Sequence, residues 1–367
     1  MERELFLHMN GGEGERSYAN NSSLQRKIML KAKVMLQETI TRLLYCHSSP
    51  DCIKVADLGC SVGPNTLIVM SNIIDTVHAT CIRLNREPPT IQLYLNDLFG
   101  NDFNTIFKSL PDFYTKLVQD KGQKSGSCFI NATPGSFYGR LFPSNSINLF
   151  HSANSVHWLS QDPFLGLSKE ALNKGSCHIV STSPPSVYTT FLKQFQKDFE
   201  LFLRSRSEEL VPGGAMVLVL LVKTETPRRS IWEAISLTLT DMLLEGSIEE
   251  EKLESFNIPT YEPSIEEIRE VIREEGSFLI QELEIAMVPW DEGRNEDGDD
   301  VFVDENIRAE FIARHTRAVM EPLLSANFGA KVMDELFIRF QKKVVQLMEE
   351  ERLEYANLVI SLTKNFL

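Results

Sequence analysis

Between Lys54 and Thr66 a short apolar run ending in Leu58 breaks into Gly59-Cys60-Ser61-Val62-Gly63 and then into a helical pattern opened by Pro64. Proline suits the first turn of a helix, where the N–H it lacks has no intrahelical partner. Leu67, Met70, Ile73, Ile74 and Val77 then recur at helical spacing. A strand that ends in a glycine turn before a helix lets backbone approach a ligand closely, at the carboxyl end of a sheet strand. The glycines are spaced Gly-x-x-x-Gly, unlike the Gly-x-Gly-x-x-Gly of dinucleotide sites. The segment therefore reads as a nucleoside-binding turn, with a purely structural turn as the plain alternative.

The run Thr90 to Leu98 reads as a second strand, and it ends in an acidic residue, Asp97. A carboxylate at the tip of the second strand can accept both ribose hydroxyls of a nucleoside. Asp97 could instead cap the following segment, as Asn-Asp pairs often do. With both landmarks in order, a methyl-donor cofactor is favoured over NAD.

The chain has 367 residues, 43% of them hydrophobic, enough for one large α/β domain or two smaller ones. Its net charge of −14 argues against a nucleic-acid partner, which would require clustered Lys and Arg. The six cysteines lack Cys-x-x-Cys spacing and read as reduced thiols of a cytoplasmic protein. The apolar run near Met1 is too short for a signal peptide, and Met216 to Val222 is far shorter than the ~20 residues that span a bilayer. A soluble protein without membrane contact is expected.

Strands are expected at 53–60, 90–97, 127–132, 147–153, 176–182 and 215–223. A helix is expected from about Tyr188 to Glu209, with Phe191, Phe195, Phe199 and Phe202 on one face. Val211-Pro212-Gly213-Gly214 reads as the turn launching the strand that follows. From Arg229 the texture becomes amphipathic helix. Ser264 and Glu267 form a capping box for a helix ending at Gly276, Phe278 to Met287 alternates like a strand, and Tyr355 to Leu362 reads as a last strand. The acidic run 291–300 reads as a mobile loop and fails as an EF-hand. The expected architecture is α/β. Residues 1–228 are mostly a cofactor-binding domain, 229–354 mostly a helical cap, and 355–367 a strand returning to the sheet, with the ligand in the crevice between cap and strand ends.

No catalytic Ser–His–Asp set, metal-ligand His pair or P-loop is visible. His151 alternates into an apolar strand and reads as a satisfied core histidine. His157 sits beside Trp158 just past the fourth strand, where imidazole and indole can stack on and hydrogen-bond a planar substrate. Pro134-Gly135-Ser136-Phe137-Tyr138-Gly139-Arg140 suits a loop folding over a flat ring. Tyr18, Asn21 and Gln25 share one near-helical face.

Together these segments resemble the plant salicylate/benzoate/theobromine-type methyltransferases, which use S-adenosylmethionine. The resemblance runs through Met9-Asn10-Gly11-Gly12-Glu13-Gly14, Ala56-Asp57-Leu58-Gly59-Cys60, Leu95-Asn96-Asp97-Leu98 and Trp158-Leu159-Ser160-Gln161. It continues in Ser207-Glu208-Glu209-Leu210, Ser255-Phe256-Asn257-Ile258-Pro259 and Arg317-Ala318-Val319. The resemblance implies a Rossmann-like class I methyltransferase sheet, a helical cap and a homodimer. It places cofactor contacts on Tyr18, Ser22, Asp57, Cys60, Asn65, Asp97, Leu98, Ser136 and Phe137. Substrate contacts fall on Tyr18, Asn21, Gln25, Asn154, His157, Trp158, Ile231, Trp232, Thr316 and Tyr355. Some members hold Mg²⁺, which would fall on Asn173, Glu254, the Phe256 carbonyl and Asn257, although the usual acid there is Asp rather than Glu.

Within the family the chain is most similar to coffee-type xanthine alkaloid N-methyltransferases, so N-methylation of a xanthine is the first expectation. Gln25 resembles the amide that salicylate-type members set against a carboxylate, so carboxyl O-methylation of salicylate, benzoate or jasmonate is the alternative. A ring N–H must lose its proton, whereas a carboxylate needs no base, and His157, with Trp158 beside it, is the candidate catalytic group. A non-catalytic small-molecule receptor on the same fold is the reading from a different class.

Overall fold

A computed structural model describes residues 7–46, 51–121, 127–165, 173–294 and 303–365. Its centre is a 7-stranded sheet in the order β3-β2-β1-β4-β5-β7-β6. The strands are β1 (Cys52–Leu58), β2 (Thr90–Asn96), β3 (Cys128–Ala132), β4 (Ile147–Ala153), β5 (Leu210–Leu221), β6 (Phe278–Pro289) and β7 (Glu354–Lys364). The first five run parallel, and β7 is antiparallel to both neighbours. The order reverses between β1 and β4, which makes the crevice beyond their carboxyl ends the natural ligand site.

Helices cover both faces, as a parallel sheet requires. On one face α1 (Ser23–Lys31), α2 (Lys33–Cys46) and α3 (Pro64–Arg83) bury Leu36, Ile40, Met70 and Ile73 against Val55, Leu93 and Val217; α4 (Phe103–Lys121) adds Ile106 to the same core. On the other face α5 (Pro185–Glu209) lays Phe191, Phe195, Phe199 and Phe202 against Phe150, Met216 and Leu218. The helix starts three residues before the sequence pattern indicates, because Pro185 occupies its first turn.

The region after Arg229 divides. Helices α6 (Ile231–Leu244), α7 (Glu250–Glu254), α9 (Glu305–Phe328) and α10 (Met333–Glu350) build a separate apolar core over the mouth of the sheet. Helix α8 (Ile265–Glu275) packs instead on the α5 side, opened by the Ser264–Glu267 capping box and closed by Gly276 in the left-handed region. Strand β6 then joins the main sheet.

Two sequence expectations are corrected. Residues 176–182 form turns and bends, not a strand. The Cys177 N–H donates to the Ser236 hydroxyl and the Ile258 N–H to the Cys177 carbonyl, so cap residues take the backbone groups a ladder would use. Val211 to Gly214 lies inside β5 rather than before it. The ladder to β4 slips between Ile147 and Leu149, so the glycines serve an irregularity in the strand. Of the 291–300 loop, 295–300 lies outside the described residues, as does the start of the N-terminal run, Met1 to Phe6. No helix among the described residues is long and apolar enough to cross a membrane.

Candidate active site

Gly59 leaves β1 with φ +76°, and a Cβ there would come within 2.1 Å of the Ser155 hydroxyl oxygen. Gly63 has φ +107°, and its Cβ would meet Ala19 backbone at 2.7 Å. Both positions therefore need glycine, the first for the turn against the β4 exit, the second for the N-terminal segment laid across it. Asp97, just past β2, accepts from the Ser61 N–H at 2.7 Å and from its own neighbour's Leu98 N–H at 2.8 Å. Burial lifts its carboxyl to about 6, against the lowering effect of those two donors. Each oxygen keeps a lone pair for a hydroxyl.

Asp97, Leu98, Ser136, Phe137, Gly59 and Ser61 line one cavity of about 1000 Å³. The Ser136–Phe137 loop is held from behind. Arg206 donates to the Phe137 and Gly139 carbonyls at 2.6 and 2.8 Å, and Glu209 accepts from the Leu141 and Phe142 N–H groups. Arg206 and Glu209 are fully buried and paired at 2.8 Å, so each supplies the other's countercharge.

A second cavity, about 580 Å³, lies under the cap. Gln25, His157, Ile231, Trp232, Thr316 and Tyr355 line it, and Met9, Tyr18, Asn154 and Trp158 line both cavities. Trp158 and Trp232 meet edge to face at 5.4 Å, with the His157 ring 6.2 and 6.4 Å from them. Among the described residues, no Asp, Glu, Lys or Arg lines this space. Burial lowers His157 to about 3 and His315 to about 4, so both imidazoles are neutral. Burial, with Asp97 nearby, raises Tyr18 and keeps its phenol neutral. The arrangement is a polar nucleoside-sized cleft opening beside an uncharged aromatic box, with a common wall where a group could pass between two ligands.

The model of the SAM dependent carboxyl methyltransferase family matches residues 4–365. The chain belongs to that family. It is 45% identical to a probable caffeine synthase of Coffea canephora, over 99% of this chain and 98% of that one. It is 46% identical to a probable jasmonic acid carboxyl methyltransferase of Theobroma cacao, over 99% and 100%. A solved loganic acid methyltransferase with SAH superposes with TM-score 0.82 at 30% identity, covering 97% of this chain and 98% of that one. The protein is thus an S-adenosylmethionine-dependent methyltransferase.

The remaining expected contacts sit one layer back. Asp57 takes the Thr66 hydroxyl at 2.6 Å and faces His151 Nδ1 at 2.7 Å, so its carboxylate is committed inside the fold. The Asn65 amide donates to the Ser22 carbonyl and hydroxyl, both at 2.9 Å, which ties the N-terminal segment to α3. Cys60 is buried between Gly59 and Ser61 without lining the cavity. Asn21 donates to the Glu15 and Ser17 carbonyls and does not line the acceptor box. These side chains shape the cavities without facing them. The sequence reading passed over Leu221, His315 and Met320, which do line the box. His315 stands next to Thr316 on α9, and only the cap's packing reveals that both face inward.

The four residues assigned to Mg²⁺ do not form a fitting set. The Asn173 carbonyl oxygen accepts from Ser183 and its amide donates to the His178 carbonyl. Glu254 accepts from the Gly175 N–H, and the Asn257 amide points to Asp162. Among the described residues no group of three or more His, Cys, Asp or Glu is placed to hold a metal.

Proposed function

We propose that the acceptor is a carboxylate on a small, largely apolar molecule, methylated on oxygen to a methyl ester. The observation that carries this reading is His157. The Leu221 N–H donates to its Nδ1 at 3.4 Å, which leaves the proton on Nε2, and burial holds the ring near pKa 3. Such an imidazole donates a hydrogen bond and is a poor base. A ring nitrogen of a xanthine needs deprotonation, while a carboxylate arrives ionised. The unpartnered buried atoms include the Asn154 amide nitrogen and the Thr316 hydroxyl, both able to donate to oxyanions. The buried Gln25 amide oxygen also lacks a partner, and turning the amide over would present its nitrogen as a further donor.

Bound at the Gly59–Asp97 cleft, the donor supplies an electrophilic methyl group. This chain's residues do the rest: Asp97 and the Phe137 loop fix one partner, Trp158 and Gln25 the other, and Tyr18 and Asn154 form the wall between. Alignment of this kind can contribute ~7–11 kcal/mol. Loss of opposite charges in the transition state is favoured by a water-poor, uncharged box.

Xanthine N-methylation, the first expectation from sequence, has one observation in its favour. The box of Trp158, Trp232 and His157 suits a flat ring. Incubation with labelled donor over jasmonate, salicylate, benzoate, xanthosine and theobromine distinguishes the two. A base-labile methyl ester supports the carboxylate reading, and base-stable label on a xanthine overturns it. The homodimer implied by family resemblance stays a proposal, tested by the mass in solution.

A further inference from the structure

Tyr138 stands in the connection between β3 and β4, next to Phe137, and lines the Gly59–Asp97 cavity with its side chain buried. Its ring meets the Phe137 ring edge to face at 4.8 Å. The main chain on either side is gripped from α5, where Arg206 donates to the Phe137 and Gly139 carbonyls. The loop is also folded on itself. The Ser136 hydroxyl accepts from the Tyr138 N–H at 3.3 Å, and the Ser136 carbonyl from the Gly139 N–H at 3.1 Å. With its backbone held this way, the Tyr138 ring has little freedom once Phe137 is fixed.

The Tyr138 hydroxyl reaches past that cavity to the other site. It donates to the Trp158 carbonyl and lies 3.4 Å from the Val156 carbonyl, and among the described residues no other group donates to either oxygen. Burial, with Asp198 nearby, raises the phenol well above its ordinary range, so the group keeps its proton and donates. The turn that owns these carbonyls carries His157 and Trp158 into the acceptor box. The turn has anchors of its own. The Tyr261 N–H donates to the His157 carbonyl at 2.9 Å, and the Leu159 N–H to the Pro259 carbonyl at 2.7 Å. Asp198, also on α5, accepts from the Ser160 N–H at 2.8 Å and its hydroxyl at 2.6 Å. Loop and turn are thus tied to α5 separately, and the Tyr138 hydroxyl joins one to the other.

We propose that Tyr138 is a positioning residue that makes the acceptor box depend on the donor: a donor that fixes Phe137 fixes Tyr138, whose hydroxyl sets Trp158 for the acceptor. The inference rests on the donor occupying the Gly59–Asp97 cleft and goes beyond that reading by joining the two sites. Acceptor binding has to order the Trp158 wall. Where donor binding has already ordered it, the acceptor loses less conformational entropy and binds more tightly. Linkage makes the effect reciprocal, and couplings of this kind amount to about 5–150-fold. Removing the hydroxyl leaves the loop on Arg206 and the turn on Asp198 and Tyr261, so it uncouples the sites without dismantling either. A hydroxyl that merely satisfied buried carbonyls would lower stability when lost and leave the donor's effect on the turn intact.

Hydrogen exchange read by mass spectrometry tests this without any acceptor. S-Adenosylhomocysteine should slow exchange about fivefold or more in wild-type peptides covering 134–140 and 156–160. Tyr138→Phe should keep the protection at 134–140, lose it at 156–160, and bind S-adenosylhomocysteine within about threefold of wild type by calorimetry. Absence of protection at 156–160 in wild type overturns the proposal with no variant needed, and so does unchanged protection there in Tyr138→Phe. Phe137→Ala separates the two readings. It should weaken S-adenosylhomocysteine about tenfold, and unchanged affinity would overturn the donor placement and this proposal together. Weakened binding in Phe137→Ala beside intact 156–160 protection in Tyr138→Phe overturns this proposal alone. Kinetics give a second readout with jasmonate or theobromine, whichever is methylated. Tyr138→Phe should raise the acceptor KM about fivefold or more at saturating donor with kcat within about threefold, and a lower kcat at unchanged KM would contradict the proposal.

Discussion

Arg206 and Glu209 meet at 2.8 Å with neither side chain exposed, and between them they hold four backbone groups of the loop that forms one wall of the donor cleft. The Ser207–Leu210 stretch carries family resemblance and faces no ligand, yet its end fixes where Ser136 and Phe137 stand. Removing one member of a buried pair leaves the other uncompensated.

Arg206→Met should therefore lower stability by about 3–5 kcal/mol. Where the variant still folds, its affinity for S-adenosylhomocysteine should fall at least tenfold, because the Phe137 and Gly139 carbonyls lose their anchor. Thermal melts and calorimetry read both quantities. Unchanged donor affinity in a folded variant would separate the pair from the cleft.

Asp97 gives the donor site a pH dependence with a definite sign. Its carboxyl is raised to about 6, so donor affinity should rise as pH increases through about 6 and then level off. Without ligand the linkage is opposite. The folded protein holds this proton more tightly than the unfolded chain, so Asp97's contribution to stability is full below the ordinary carboxylate range and lost as pH rises through about 6. Asp97→Asn should flatten the affinity profile and weaken binding by about 1.5–3 kcal/mol, the worth of charge-assisted hydrogen bonds.

Gly59→Ala tests the turn. The left-handed backbone and the Ser155 contact should together cost about 1–3 kcal/mol and reduce donor binding. A variant as stable as wild type would show that the β4 exit yields readily.

Chelation tests the metal assignment. The Asn173 and Glu254 side-chain oxygens accept from Ser183 and the Gly175 N–H, and the Asn257 amide nitrogen donates to Asp162. Initial rates in EDTA should match those in Mg²⁺ buffer, and a rate restored by added Mg²⁺ would reinstate the ion.

The strand–glycine–helix opening and the acidic tip of β2 were legible because they are local: a few neighbouring residues determine the turn and its ligand chemistry. The same holds for the capping box at Ser264 and the alternation in β6. Residues 176–182 misled because an apolar run of that length is equally good as buried coil, and only the partners from Ser236 and Ile258 decide. The family resemblance placed Asp57, Ser22 and Asn65 among the donor contacts, and the direction each side chain faces is set by tertiary partners, Thr66 and His151 for Asp57 and one another for Ser22 and Asn65. His315 reaches the box only where cap and sheet meet, from segments far apart in the chain.

His157 carries the central claim, and the fate of the transferred methyl tests it most directly. With isotopically labelled donor and the full acceptor panel, wild type should place label on a carboxylate, released as methanol by mild base. His157→Gln, which keeps a hydrogen-bond donor, should retain turnover within about tenfold, since loss of a general base costs ~10²–10⁴-fold. Label on a ring nitrogen, stable to base and lost by 10²-fold or more in His157→Gln, would contradict the carboxylate account and restore the xanthine one.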